Sequence, residues 1–208
     1  MKTYSFARAP LLITAAVILL IVPACGSDTP STDLVGYRPS AEQRVDTASL
    51  PDASNGDAPF AFRAEQDQLL LVFFGFTQCP DVCPTTLAAI RAGLRQLDTK
   101  ADQVKVAMVT IDPDRDTGTL LTSYVQSVVA GAHALRTDDQ AELGRAADVF
   151  GASYDVSTDA DGEVEVAHTG LLYVVDGTGV VRLTWPFGVS SSDIANDLRI
   201  LLAEGTPA

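Results

Sequence analysis

The sequence predicts an α/β fold in which helices flank a central mixed β-sheet. Leu69–Phe74 is a continuous apolar run with no alternation of polar residues, which is typical of a strand buried on both faces, and Val104–Ile111 is predicted to be a second buried strand. Residues 84–97, after the first run, carry apolar residues at helical spacing. Pro84 suits the first helical position because its missing N–H would have no partner there. The chain therefore predicts a buried strand that leads directly into a helix.

The other elements follow from the same two periodicities. Gln43–Arg63 has apolar residues on both sides of a turn-rich PDASNGDAP segment, which predicts a hairpin before the first buried strand. The elements expected after Ile111 are a helix over Leu120–Val129, a strand over Ala132–Arg136, a helix over Asp139–Phe150, strands over Ala152–Val156 and Val164–Val166, a hairpin of Gly170–Val175 with Val180–Trp185, and a closing helix over Ser190–Leu202. This order predicts a thioredoxin-like layout with an added N-terminal hairpin, in one domain over residues 43–208.

Residues 1–24 have the pattern of a lipoprotein-type signal peptide. Two basic residues precede the apolar run Leu11–Val22, which is shorter than the ~20 residues that a membrane span prefers. Val22-Pro23-Ala24-Cys25 resembles a bacterial lipobox, which predicts that Cys25 carries lipid; the alternative is an uncleaved anchor helix. Residues 25–42 are rich in Ser, Thr, Pro, Gly and Asp, which predicts a flexible tether. Both alternatives place the domain at the outer face of the cytoplasmic membrane.

The charge of the chain excludes one class of partner. Asp and Glu number 27 against 14 Lys and Arg, for a formal net charge of −13. Because phosphate binding needs a basic surface, this balance argues against a nucleic-acid partner.

Two cysteines, Cys79 and Cys83, lie where the first buried strand gives way to its helix. In an α/β fold this edge of the sheet is where ligands bind. The three residues between the cysteines are one more than thioredoxin-like oxidoreductases favour. Two sulfurs at this spacing can form a reactive or a structural disulfide, or bind one metal ion. We expect the helix dipole and free N–H groups to lower the thiolate pKa values, which favours disulfide exchange and metal binding alike.

His168 directly precedes the apolar run GLLYVV, so it is expected at the start of a core strand near the same edge. Two thiolates and one imidazole form a three-coordinate soft site that suits Cu(I) and can hold Cu(II). Zinc with a water in the fourth position is the alternative. The other histidine, His133, lies in a small-residue stretch and is expected to face solvent.

Three segments, GFTQCPDVCP, TIDPDRDT and HTGLLYVVDGTGVV, resemble the Sco/SenC family of copper-binding proteins over roughly Val45–Leu202. The resemblance implies a membrane-tethered thioredoxin-like domain that helps to assemble the copper centre of cytochrome c oxidase. It also implies that Cys79, Cys83 and His168 are the copper ligands, and that the oxidase's copper-carrying subunit is the partner.

The resemblance extends to a D-P-x-R-D segment at residues 112–116, which contains Asp112, Asp114, Arg115 and Asp116. These residues are candidates for orienting a ligand or a partner; the alternative is a turn followed by a helix cap. The chain departs from the family at Ala167, where some members have Asp, which leaves open what binds the second ring nitrogen of His168.

Two functions from different classes fit these observations. The first is a copper chaperone that passes one ion to the oxidase by exchange of thiolate ligands. The second is a thiol-disulfide oxidoreductase in which Cys79 attacks and Cys83 resolves the mixed disulfide. A peroxide-reducing thiol enzyme is a third interpretation, since peroxidases share this fold.

Overall fold

The fold is taken from a computed structural model, which describes residues 1–3, 33–158 and 164–205. The chain divides into two units, Met1–Pro30 and Ser31–Ala208, and everything below concerns the second. Apart from its first three residues, the predicted signal peptide over residues 1–24 lies outside the described part of the chain, as does Cys25. Among the described residues, no helix is both long enough and apolar enough to span a membrane.

A seven-stranded mixed sheet forms the centre of the domain. Its strands are β1 (Ser49–Asp52), β2 (Ala58–Ala61), β3 (Leu69–Gly75), β4 (Val104–Thr110), β5 (His133–Leu135), β8 (Leu171–Val175) and β9 (Val181–Pro186), in the spatial order β2-β1-β5-β4-β3-β8-β9. β3, β4 and β5 are parallel, whereas β8 runs antiparallel to β3 and β9 antiparallel to β8. A separate hairpin pairs β6 (Tyr154–Thr158) with β7 (Val164–His168). The helices are α1 (Val82–Arg95), α2 (Gly118–Val128), α3 (Gln140–Phe150) and α4 (Ser191–Glu204).

Both faces of β3 are buried, as its uninterrupted apolar run predicts. Leu69, Leu71 and Phe73 lie in one core cluster with the inner residues of α1, α2 and α4. Leu70, Val72 and Phe74 lie in a second cluster on the other face, with the inner residues of α3. Alternate side chains of a strand point to opposite faces, so one strand contributes to both clusters. The predicted α/β, thioredoxin-like architecture is confirmed.

The helix after β3 begins two residues earlier than predicted. α1 starts at Val82 with Asp81 as its N-cap residue, so Cys83 lies inside the first turn and Pro84 is the third helical residue. Pro84 is tolerated there because N–H groups of the first turn have no intrahelical acceptor. Cys83 is therefore fixed by helical geometry, whereas Cys79 lies in the preceding loop.

The structure differs from the predicted tether at residues 33–42, which lie against the domain. The N–H groups of Val35 and Gly36 donate to the buried carboxylate of Asp197, and Tyr37 pairs with Thr184 of β9. A Cβ on Gly36 would lie 2.6 Å from Leu183, so this close approach requires glycine. Backbone hydrogen bonds order a segment whose composition offers little apolar surface. The tether prediction for residues 25–32 falls outside the described residues.

The expectation that His133 faces solvent is wrong. Its Nδ1 lies 2.7 Å from an oxygen of the buried Asp52, and its ring packs on Phe60 with centroids 4.6 Å apart. Asp52 belongs to β1 and Phe60 to β2, so His133 fastens the N-terminal hairpin to β5.

Candidate metal centre

Both cysteines are free thiols at the carboxyl end of β3. Cys83 is almost fully buried, with 1% of its surface exposed, while Cys79 is partly buried. The Cys83 N–H donates to the Cys79 sulfur over 3.4 Å. The first turn of α1 thus presents one sulfur from the helix and directs a backbone donor at the other.

His168 completes the cluster. It is the last residue of β7, paired with Tyr154 of β6, and two residues separate it from β8. One potential ligand atom from each of Cys79, Cys83 and His168 lies within 4.8 Å of the other two. The structure describes no second group of three His, Cys, Asp or Glu side chains that could hold a metal ion within residues 1–3, 33–158 and 164–205.

A backbone carbonyl orients the imidazole. Nδ1 of His168 lies 3.2 Å from the carbonyl oxygen of Thr169, and the ring meets Phe76 edge-on with centroids 6.2 Å apart. With the proton on Nδ1 donated to this carbonyl, Nε2 keeps its lone pair for a metal ion. Thr169 therefore supplies the ring-nitrogen partner that Ala167 cannot.

The expectation of a lowered thiolate pKa is wrong for Cys83. Burial raises the pKa of Cys83 from 9.0 to about 12, and negative charge on Cys79 and Asp116 adds to the effect. Desolvation disfavours the thiolate more than the helix N-terminus favours it. The Cys83 thiol consequently keeps its proton at neutral pH until a metal ion displaces it.

Asp116 fastens the cysteine loop to the neighbouring strand. Its fully buried carboxylate accepts hydrogen bonds from the N–H and hydroxyl of Thr77, two residues before Cys79, and from the hydroxyl of Thr110 at the end of β4. These contacts agree with the predicted orienting function better than with a helix cap, since Thr117 is the N-cap residue of α2.

The rest of the D-P-x-R-D segment reaches the site less directly. Arg115 forms an ion pair with the buried Asp112, and its guanidinium carbon lies 5.8 Å from the centroid of the Phe76 ring that contacts His168. Asp114 is exposed. The structure therefore brings Asp112, Arg115 and Asp116 near the cluster and leaves Asp114 at the surface.

Gly75, the last residue of β3, leaves room for the Cys83 sulfur. A Cβ on Gly75 would lie 2.6 Å from Cys83 Sγ and 3.3 Å from Met108 Cε. The buried position of Gly75 against sulfur explains why no larger residue fits.

We expect Gly75→Ala to lower the free energy of unfolding by about 1–3 kcal/mol, because an added methyl group overpacks this site. Chemical denaturation of the reduced protein measures this change. The matched control is Gly144→Ala within α3, where an added Cβ has no neighbour within 4 Å. Stability of Gly75→Ala equal to or above that of the wild type would contradict the packing described here.

The part of the chain that carries this cluster is similar to known proteins. Residues 57–203 match the sequence profile of the SCO1/SenC family. The chain belongs to the SCO1/SenC family. A Stutzerimonas stutzeri relative, named as a candidate copper-binding protein, is 35% identical over 142 residues, which cover 68% of each chain.

Solved SCO1/SenC structures share the fold. Bradyrhizobium japonicum ScoI with copper bound is 30% identical, with a TM-score of 0.63 over 73% of this chain and 95% of that chain. Apo Sco1 from Thermus thermophilus is also 30% identical, with a TM-score of 0.66 over 83% and 95% of the two chains. Yeast Sco1 with copper bound, at 19% identity and a TM-score of 0.67, supports the fold alone.

Proposed function

We propose that this SCO1/SenC protein is a copper chaperone that binds one copper ion through Cys79, Cys83 and His168. The observation that carries the proposal is the convergence of three donor atoms within 4.8 Å. Two thiolates and an imidazole are soft and borderline ligands, and this donor set suits Cu(I). The copper bound to the Bradyrhizobium relative supports copper over zinc as the cargo.

The proposal extends to anchoring and delivery. The protein is held by lipid on Cys25 at the outer face of the cytoplasmic membrane, and it passes copper to the copper-carrying subunit of cytochrome c oxidase. Cys79 is the more exposed of the two cysteine residues. An incoming thiolate of the partner therefore displaces Cys79 first, and the buried Cys83 and the partly buried His168 release the ion afterwards.

The thiol-disulfide alternative has an observation of its own in its favour. The two thiols are free, adjacent and unequal in exposure, and the Cys83 N–H donates a hydrogen bond to the Cys79 sulfur. Cys79 would attack a substrate disulfide, and Cys83 would then displace the mixed disulfide. The substrate gains two thiols while the Cys79–Cys83 pair becomes a disulfide, so a second thiol reductant must restore it.

Copper titration of the purified, reduced protein tests the proposal. We expect one Cu(I) per chain, measured by competition with a coloured Cu(I) chelator. Cys79→Ser and Cys83→Ser should both lose tight binding, because a hydroxyl is a poor ligand for a soft ion. Tight binding of one ion in both serine variants would overturn the proposal.

The apparent affinity is expected to depend on pH. Because the pKa of Cys83 is raised to about 12, its proton must leave when the ion binds near neutral pH. Proton loss from Cys83 alone makes binding weaker by about tenfold for each unit by which the pH falls. A pH indicator in weak buffer measures the protons released per copper ion. Binding without proton release would contradict the raised pKa.

A further inference from the structure

An apolar groove adjoins the metal centre. Its walls come from α1, from the neighbouring ends of β3 and β8, and from the loop that joins β9 to α4. Phe73 of β3 and Leu172 of β8 are buried beneath it. Cys83 and His168 are also among its lining residues, so two of the three candidate metal ligands belong to the groove as well as to the cluster. The groove is therefore continuous with the site of exchange.

The groove carries no charge on its surface. Asp, Glu, Lys and Arg make up 20% of the chain, yet none of the described residues that line the groove is one of these four types. Phe187 of the β9–α4 loop leaves 45% of its surface exposed, and it lies against Gly170, two residues after His168. Val82 and Ala89 of α1 are only partly buried. Apolar surface that stays exposed beside a ligand site is typical of an interaction surface.

The ligand cluster indicates which partner meets this groove. Both functions considered above bring a cysteine of another protein to Cys79, whose sulfur lies within 4.8 Å of a ligand atom of Cys83 and of His168. Consecutive Cα atoms of a chain are about 3.8 Å apart. The residue next to the incoming cysteine can therefore place its side chain in the groove. An apolar, uncharged groove favours a large apolar side chain at that position.

We propose that the groove binds a large apolar side chain next to the reactive cysteine of the protein partner. The inference rests on the proposed function, in its chaperone or its oxidoreductase form, and adds a sequence feature that the partner must carry. The bound side chain holds the partner's thiol beside Cys79, so a partner with a small or charged residue at that position exchanges more slowly. The groove supplies selectivity, and the cluster supplies the chemistry.

Two blocked, uncharged peptides, Gly-Cys-Phe and Gly-Cys-Ser, test the proposal. Each carries its cysteine in a disulfide with a coloured aromatic thiol. The Cys79 thiol loses its proton to the buffer and attacks the peptide sulfur; a disulfide between Cys79 and the peptide forms, and the aromatic thiolate leaves with the electron pair. The released colour measures the rate. We expect the reduced protein to react about tenfold faster with the phenylalanine peptide, because the groove removes much of its ring from water.

Phe187→Ser and Thr86→Glu alter the groove from the β9–α4 loop and from α1. Each should bring the ratio of the two rates close to one. A change in the reactivity of Cys79 would alter both rates alike, so the ratio reports on the groove. The matched control is Tyr37→Ser, which removes another exposed aromatic ring outside the groove and keeps the backbone hydrogen bonds to Thr184. Its ratio should equal that of the wild type.

Equal rates with the two peptides in the wild type, or an unchanged ratio in both groove variants, would overturn the proposal. Sedimentation of the wild type alone and with phosphatidylglycerol vesicles checks the other occupants. Self-association or vesicle binding that Phe187→Ser abolishes would assign the groove to a second copy or to lipid, and would overturn the proposal too. The peptide assay contains no copper, so failure of the copper titration would remove the chaperone function and leave a tenfold peptide preference in support of the groove.

Discussion

Replacing His168 with alanine is expected to weaken Cu(I) binding by at least about 100-fold, because the loss of a direct ligand exceeds the 10–100-fold effect typical of outer partners. The Cys79–Cys83 pair should still form and exchange a disulfide, since that chemistry needs no imidazole. Chelator competition measures the affinity, and reaction with a small disulfide measures the exchange rate. The two measurements together separate the chaperone from the oxidoreductase.

The control for this variant is His133→Ala, which removes the other histidine. His133 contacts Asp52 and Phe60 at the N-terminal hairpin, so copper affinity should be unchanged. Wild-type copper affinity in His168→Ala would exclude the imidazole as a ligand. Loss of disulfide exchange in the same variant would indicate that His168 serves thiol chemistry instead.

Asp116→Ala is expected to lower the free energy of unfolding by about 3 kcal/mol or more. The substitution removes the acceptor of the Thr77 N–H, the Thr77 hydroxyl and the Thr110 hydroxyl. Each buried donor left without an acceptor costs about 1–3 kcal/mol of stability. Thr77 is then free to move, and the Cys79 loop moves with it, so copper affinity should fall as well. Denaturation and chelator competition on the same protein measure both effects.

Asp114→Ala is the matched control, since it removes an exposed carboxylate from the same segment. Its stability and copper affinity should equal those of the wild type. If Asp116→Ala behaved like Asp114→Ala, the carboxylate of Asp116 would not position the cysteine loop.

The closeness of the three candidate ligands could be predicted from the sequence, because the order of the strands places them at one edge of the sheet. Cys79 and Cys83 follow the carboxyl end of β3, and His168 precedes the amino end of β8. β3 and β8 are antiparallel neighbours, with Phe73 opposite Leu172, so these two ends share one edge of the sheet. Apolar patterning was enough to identify both strands.

Features that depend on depth or on distant partners could not be predicted from local patterns. The sequence indicates that a helix begins beside Cys83, but it does not indicate that Cys83 is buried. This burial raises the pKa of Cys83, whereas the helix N-terminus alone would lower it. The ordering of residues 33–42 depends on Asp197, more than 150 residues away, which binds the N–H groups of Val35 and Gly36.

X-ray absorption at the copper edge, on the Cu(I)-loaded protein and on His168→Ala, tests most directly whether two sulfurs and one imidazole hold the ion together. We expect the wild-type spectrum to require two sulfur neighbours and one nitrogen, with the outer-shell scattering of an imidazole ring. In His168→Ala the nitrogen and the ring scattering should vanish. A wild-type spectrum with sulfur neighbours alone, unchanged by the substitution, would contradict the three-ligand site.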